Sequence, residues 1–336
     1  MESKLKTLLV GYKAADLTPS SLNGDVTCHV LDIYHRHAIE KVFHGEVRVT
    51  CSPHLPEGDW ELVRFLTGPK LMSGELALDL LQEIRGLLVK RFADDWKKHF
   101  QLEYVGRERD RNDLLDKVFK DDRVRSFASE WPASVPGGEK LMFTSYPGCF
   151  CHRRLDEGGL ALAEVVCREL CSQTADLKAQ SSNLRVLDMG CGSGLVGLLI
   201  ANRLKRSIPR SDNSPVSLVM VDSHSRAVEA ATENARKFGV EAEVILADNG
   251  SPARMDGTFD VFVGNPPYYS DYRIADVFLE TAKRALKPGG ICYTVCKNAA
   301  GLEPVQKRYF PDVEIVRRRN YAVLKSVCTD RKDNEQ

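Results

Sequence analysis

Two short runs carry most of the chemistry open to this chain. Asp188-Met189-Gly190-Cys191-Gly192-Ser193-Gly194 follows the apolar Val186-Leu187 and precedes the apolar stretch from Leu195 to Ala201, so it reads as a strand-to-helix turn built on three closely spaced glycines. Such a turn lets backbone amides come close to a ligand. Asn265-Pro266-Pro267-Tyr268 closes another apolar strand, Phe259 to Val263, and leaves an amide side chain and a carbonyl facing outward at its end. Paired acceptors placed there can grip an exocyclic amine.

An exocyclic amine on a base, or a carboxamide, is a poor nucleophile because its lone pair is delocalised into the adjoining π system. The side-chain oxygen of Asn265 and the backbone oxygen of Pro266 can each accept one N–H, so that the developing lone pair points at an incoming methyl. A sulfonium is already an activated leaving group, so alignment and well-placed acceptors suffice without a strong base. Pro266 and Pro267 stiffen the loop and bring no competing N–H. Tyr268 offers a flat face for stacking a base or a planar amide. As an isolated tetrapeptide, Asn-Pro-Pro-Tyr is also a common way to end a strand; its pairing with the glycine turn is what gives it weight.

The matching donor is S-adenosylmethionine. Asp188 ends the first strand and can hold the donor's amine, directly or through water, while Gly190, Gly192 and Gly194 let the loop lie against the methionine and ribose. Asp222, at the end of the second strand, can accept both ribose hydroxyls, and Asp248 after the third can accept from the adenine amine. Gly192-Ser193-Gly194-Leu195-Val196-Gly197 also fits the dinucleotide fingerprint Gly-x-Gly-x-x-Gly. The acid directly before the first glycine, which would repel a pyrophosphate, and the Asn-Pro-Pro-Tyr loop both favour the methyl donor.

These loops need a sheet to hold them. From about Leu184, β-rich runs alternate with helical stretches, the pattern of a doubly wound α/β sheet. Strands are expected over Arg185 to Asp188, Ser217 to Asp222, Ala242 to Leu246, Phe259 to Val263 and Ile291 to Cys296. Helices are expected over Leu195 to Lys205, His224 to Phe238 and Ala275 to Leu286, the last stopped by Lys287-Pro288-Gly289-Gly290. Val313 to Val316 and Tyr321 to Val327 read as a terminal antiparallel hairpin.

The first half is less regular. Val47 to Thr50 and Leu62 to Leu66 read as strands, and Glu75 to Phe92 as an amphipathic helix. Tyr104 to Arg125 reads as a solvated helix and connector, with Pro132, Pro136, Gly137 and Gly138 marking a junction. The expected division is a smaller α/β domain over 1–130 and a catalytic domain over 140–330.

A length of 336 residues, 43% of them hydrophobic, provides cores for two domains. Lys+Arg and Asp+Glu both number 47, so any attraction to nucleic acid must be local. No apolar run approaches a membrane span and the opening residues lack a signal-peptide pattern, which makes the cytoplasm the expected compartment. The ten cysteines form no Cys-x-x-Cys pair. Cys149, Cys151 and His152 are the densest cluster, and reduced thiols rather than a metal site are expected.

These residues resemble the class I S-adenosylmethionine-dependent methyltransferases that carry an Asn-Pro-Pro-Tyr/Phe motif. A narrower resemblance lies in Tyr146-Pro147-Gly148-Cys149-Phe150 and Leu155-Asp156-Glu157-Gly158, with the ending Phe310 to Leu324. These are similar to the small-domain family of ribosomal RNA guanine-N2 methyltransferases, over roughly residues 140 to 327. The resemblance implies a Rossmann-like seven-stranded sheet with a terminal hairpin, methyl transfer to guanine N2 in 16S-type rRNA, and a substrate that is RNA or a ribosomal subunit rather than a membrane. It implies that Asp156 and Gly158 lie near the donor-pocket entrance, with a helix start and turn as their plain alternative. It also implies that the first domain is a degenerate methyltransferase copy. An RNA substrate favours a basic rim, for which Arg153, Arg317, Arg318 and Arg319 are candidates; a solvated charged hairpin is the other reading of the arginine run. The alternatives in function are adenine N6 or protein glutamine as acceptor, and a scaffold that keeps the donor pocket without turnover.

Overall fold

The central strands of a parallel sheet are covered on both faces and so read as unbroken apolar runs. In the computed structural model, which describes residues 5–120, 125–172, 184–207, 216–249, 256–267 and 272–329, β8 (Leu184–Met189) is such a run, buried at every position but Arg185. The chain divides into two compact units.

The second unit comprises Ser129–Ser145, Cys149–Ser223 and Ala227–Gln336. Its main sheet contains β8, β9 (Val216–Asp222), β10 (Ala242–Leu246), β11 (Phe259–Gly264), β12 (Leu286–Cys296), β13 (Glu314–Arg318) and β14 (Tyr321–Val327), in the order β10-β9-β8-β11-β12-β14-β13. The first five run parallel, and β14 runs antiparallel to both β12 and β13, so the seven strands and terminal hairpin expected from the sequence are present.

Alternate residues of β8 feed two cores. Val186 packs with Leu160 and Val165 of α4 (Glu157–Ser172) and Leu198 of α5 (Leu195–Ser207), beside Ala231 and Ala235 of α6 (Ser225–Lys237). Leu187 packs on the opposite face with Phe278 and Leu279 of α7 (Arg273–Ala285) and Leu302 of α8 (Ala299–Lys307).

Two local expectations change. Lys287-Pro288-Gly289-Gly290 ends the helix but does not leave the sheet: β12 runs through it with a register shift against β11, and Gly289 and Gly290 bond Cys328. The proline- and glycine-rich stretch placed at a domain junction is instead a hairpin of β6 (Ser129–Ala133) and β7 (Leu141–Ser145), and the division falls before it, at Ala128. Pro132 is tolerated because a two-stranded ribbon has only edge strands.

The first unit comprises Met1–Ala128 with the short segments Tyr146–Gly148 and His224–Arg226. Its strands are β1 (Lys6–Val10), β2 (Asp25–Val30), β3 (Arg48–Cys51), β4 (Leu62–Thr67) and β5 (Phe100–Tyr104), all parallel in the order β3-β2-β1-β4-β5. Its helices are α1 (Ile33–Phe43), α2 (Gly74–Phe92) and α3 (Glu108–Phe119), the first two capped by Asp32 and Ser73. The sequence reading captured β3, β4, α2 and α3 and missed β1, β2, α1 and β5. The alternation in Phe100-Gln101-Leu102-Glu103-Tyr104 was a usable strand signal. From the first strand outward, the five parallel strands follow the same spatial order as those of the second unit.

Candidate methyl-transfer site

β8 lies between β9 and β11, so the loops after these strands open on one edge of the sheet. In the glycine turn, Gly190 and Cys191 donate to the Val221 carbonyl at 2.8 and 3.0 Å, and Gly194 donates to the Cys191 carbonyl at 2.8 Å. Gly190 has φ +68° and packs so tightly that a Cβ would lie 2.6 Å from Phe278 Cζ. Gly192, with φ +56°, has no heavy atom within 4 Å of where its Cβ would be. Packing therefore requires the first glycine, whereas the second borders open space where a ligand can approach the backbone.

Asp222 Oδ2 accepts the Gly192 N–H at 2.8 Å, and its backbone carbonyl accepts Ala247 N–H at 3.0 Å. The acid expected to meet a ribose thus also fixes the glycine turn and the loop leading to Asp248, which is half-buried beyond β10.

Asp188 is 2% exposed, and its Oδ2 accepts the Gly197 N–H at 2.8 Å, closing the turn onto the first residues of α5. Burial pushes its carboxyl up to about 7; the charges of Asp222 and Asp156 act in the same sense and the Gly197 N–H opposes them. One of its oxygens is therefore already committed to the fold. Asn234, fully buried on α6, ties the same turn down by donating to the Ser193 carbonyl at 2.9 Å while bonding both backbone groups of Thr144.

After β11, Pro266 is buried and Pro267 half-buried, while Tyr268 lies outside the described residues. Asn265 Nδ2 donates to Asp156 Oδ2 at 2.7 Å. Asp156 begins α4 as its cap, its Oδ1 accepting the Gly158 N–H at 3.0 Å. The helix start expected from the sequence is present, and the same side chain also holds the Asn265 amide.

The expected basic rim is reorganised. Arg318 Nε donates to Glu164 Oε2 at 2.5 Å and an Arg319 guanidinium nitrogen to Glu164 Oε1 at 2.7 Å, with Glu164 only 6% exposed. Burial works to raise that carboxyl, but the two arginines outweigh it and hold it below its ordinary value. A buried carboxylate needs compensating charge, so these arginines serve α4 before any phosphate. Lys325 is likewise taken up by Glu169 and Glu314. Arg317 and Arg153 are exposed, Arg153 with φ +65°.

The sequence reading missed Lys297, exposed just beyond β12 and 5.9 Å from the centre of the Tyr321 ring. Its position, directly after the apolar end of a parallel strand as Asn265 directly follows β11, was the signal that could have found it.

The cluster of Cys149, Cys151 and His152 has a structural use: His152 Nδ1 lies 3.0 Å from Ser145 Oγ, which accepts the Trp131 indole N–H at 3.2 Å. Among the described residues no group of three acidic, histidine or cysteine side chains could hold a metal, and no helix is long and apolar enough to cross a membrane.

Known proteins resemble this chain at two levels. Ribosomal RNA small subunit methyltransferase C of Haemophilus influenzae (strain PittGG) is 28% identical over 182 residues, covering 53% of this chain and 48% of that protein. Its namesake from Pseudomonas aeruginosa (strain UCBPP-PA14) is 29% identical over 192 residues, covering 55% and 50%. The chain thus spans about half the length of these relatives. In structure, a T. thermophilus 16S rRNA N2 G1207 methyltransferase, solved with AdoMet and guanosine, aligns with TM-score 0.72 at 16% identity over 98% of this chain and 89% of that one. At that identity the likeness is one of fold, and it extends through both units. Residues 140–325, more than half of the chain, match the methyltransferase small domain, and the protein belongs to that family.

Proposed function

We propose that the protein transfers a methyl group from S-adenosylmethionine to the exocyclic N2 amine of a guanine in small-subunit ribosomal RNA. The observation that carries this reading is the parallel pairing of β8 with β11, which sets the glycine turn and Asn265 side by side on one sheet edge. The open space at Gly192 and the Asp222 carboxylate beside it suit the ribose and methionine portions of the donor, and Asp248, half-buried beyond β10, would meet the adenine. The donor, when bound, supplies a methyl already activated on a sulfonium.

The chain's own residues then align. Asn265 Oδ1 and the Pro266 carbonyl accept the two amine protons, and these bonds strengthen as the nitrogen gains positive charge. The prolines keep that geometry fixed, and Tyr268 would stack on the base. Family membership and the names of the two relatives support ribosomal RNA as the substrate, and with it a cytoplasmic location. Lys297 and Arg317, exposed near the ends of β12 and β13, are the cations best placed for phosphates, with Arg153 as a third.

The first unit reads as a worn copy of the second. It repeats the order of the five parallel strands, yet Gly11-Tyr12-Lys13 replaces the glycine series after its first strand, and a Cβ on Gly11 would lie 2.3 Å from the Leu66 carbonyl oxygen. With one glycine in place of three, that turn offers less room for a backbone approach to a donor, and stability and substrate docking rank ahead of dimer contact as its tasks.

The test is to incubate the protein with labelled donor and small-subunit rRNA, digest the product and identify the modified nucleoside. N2-methylguanosine is expected. Label in N6-methyladenosine or in protein glutamine would change the acceptor, and turnover no greater than a heat-killed control would leave a scaffold.

A further inference from the structure

Asp156 has both carboxylate oxygens in use, one on the Gly158 N–H and the other on the Asn265 amide. An ionised carboxylate only accepts hydrogen bonds, so it selects the amide orientation in which Nδ2 faces Asp156 and Oδ1 faces away. The reverse orientation would oppose two oxygens. The surroundings are closely fitted, since a Cβ on Gly159 would lie 2.6 Å from Asp156 Oδ2. Charge also passes through this pair: an amide donating to a carboxylate becomes a stronger acceptor at its own oxygen.

We propose that Asp156 is a positioning residue for methyl transfer, holding the Asn265 amide with its oxygen toward the substrate amine. This rests on the function proposed above. In the transfer the amine nitrogen bonds to the methyl carbon as the carbon–sulfur bond breaks, the bonding pair stays on sulfur, and the nitrogen then gives a proton to solvent. Positive charge grows on the nitrogen during this step. Oδ1 of Asn265 stabilises that charge, whereas Nδ2 in its place would repel it.

Protonation of Asp156 would remove the selection, because a carboxylic acid can donate to Oδ1 and permit the amide to flip. Burial raises the Asp156 carboxyl above its ordinary value, against the Gly159 N–H, the Asn265 amide, the Gly158 N–H and the charge of Arg154. Cys151 and Asp188 are the other titratable groups within its field. An acid limb in kcat is therefore expected.

The experiment is Asp156→Asn in the full chain. Asn caps a helix as well as Asp does, so the start of α4 is preserved. It can both donate and accept, so Asn265 loses its single preferred orientation. We expect kcat to fall about 10- to 100-fold, with the acid limb flattened and donor affinity and KM for RNA within about twofold of wild type. Wild-type kcat in this variant, or an equal loss of donor affinity and melting temperature, overturns the proposal.

An NMR measurement of the Asn265 side-chain amide, assigned by its absence in Asn265→Ala, separates this inference from the function it rests on. One amide proton should be shifted downfield in the wild type and return toward the solvent-exposed position in Asp156→Asn. If the wild type transfers no methyl to RNA, the function fails by itself, and an amide signal unchanged by Asp156→Asn overturns the Asp156 contact independently.

Discussion

Gly264 lies opposite Met189 in the parallel register of β11 on β8, so the residues that follow them, Asn265 and Gly190, leave the sheet as neighbours. Phe278 packs beneath both loops: a Cβ on Gly190 would lie 2.6 Å from its ring and one on Gly264 3.0 Å from it. The glycine turn and the Asn-Pro-Pro loop thus share one aromatic floor as well as one sheet edge, and a change in either strand's register would separate them.

In the proposed transfer, Asn265→Ala removes an acceptor that strengthens only as the nitrogen acquires charge. Transfer should fall by about 100-fold or more. Donor affinity, followed by calorimetry, should change little, and equal loss of both would contradict a role toward the acceptor.

Asp222→Ala deletes the partner of the Gly192 N–H as well as the proposed ribose contact. The donor should weaken by about 1–3 kcal/mol. Asp222→Asn retains an acceptor for Gly192 and should recover part of that loss. Unchanged affinity in the alanine variant would remove Asp222 from the site.

Asp188 gives the second unit a pH signature. Burial first, then the Asp222 and Asp156 charges, place its folded-state carboxyl at about 7, against 3.8 for the free side chain. The native protein therefore keeps a proton that the unfolded chain has released, and the resulting stabilisation is full below about pH 4 and is lost as pH rises through 7. Asp188→Asn should flatten the thermal stability curve across that window. A cationic amine docking beside Asp188 should also expel its proton near pH 7, readable by calorimetry in buffers of different ionisation enthalpy.

The basic residues of the terminal hairpin should divide by role. Arg318→Ala and Arg319→Ala each leave the buried Glu164 short of charge, and should lower stability by roughly 1–2 kcal/mol after solvent screening of the exposed guanidinium groups. Lys297→Ala and Arg317→Ala should leave the melting temperature in place and weaken RNA binding, reducing its salt slope by about one for each phosphate no longer neutralised. The reverse assignment in paired melting and salt-titration measurements would move the RNA face elsewhere.

His29 should contribute, with His224, to acid stability in the first unit. It is 1% exposed, and burial, reinforced by the charges of Arg226 and His54, lowers it from 6.5 to about 4. Its contribution is complete above pH 6.5 and is lost as pH falls toward 4, because the unfolded chain takes up the proton first. The difference amounts to on the order of 3 kcal/mol. His29→Gln should weaken the acid dependence of unfolding; an unchanged acid limb would assign it to other groups.

What the sequence determined by itself was local. The glycine turn after Val186-Leu187, the acid ending β9 and the Asn-Pro-Pro loop after β11 are each written within a few residues, because a buried parallel strand is an apolar run and its end is marked by turn chemistry. Tertiary structure decided the partnerships. Nothing in the local pattern links Asp156 to Asn265, 109 positions away, or commits Arg318 and Arg319 to Glu164 rather than to solvent. Periodicity reports which face of an element is buried, whereas the hydrogen-bonding partner of a polar group is set by the strand or helix that packs beside it. The same limit concealed the parallel order of the first sheet, whose short strands with mixed polar content show their kinship to the second sheet only when paired.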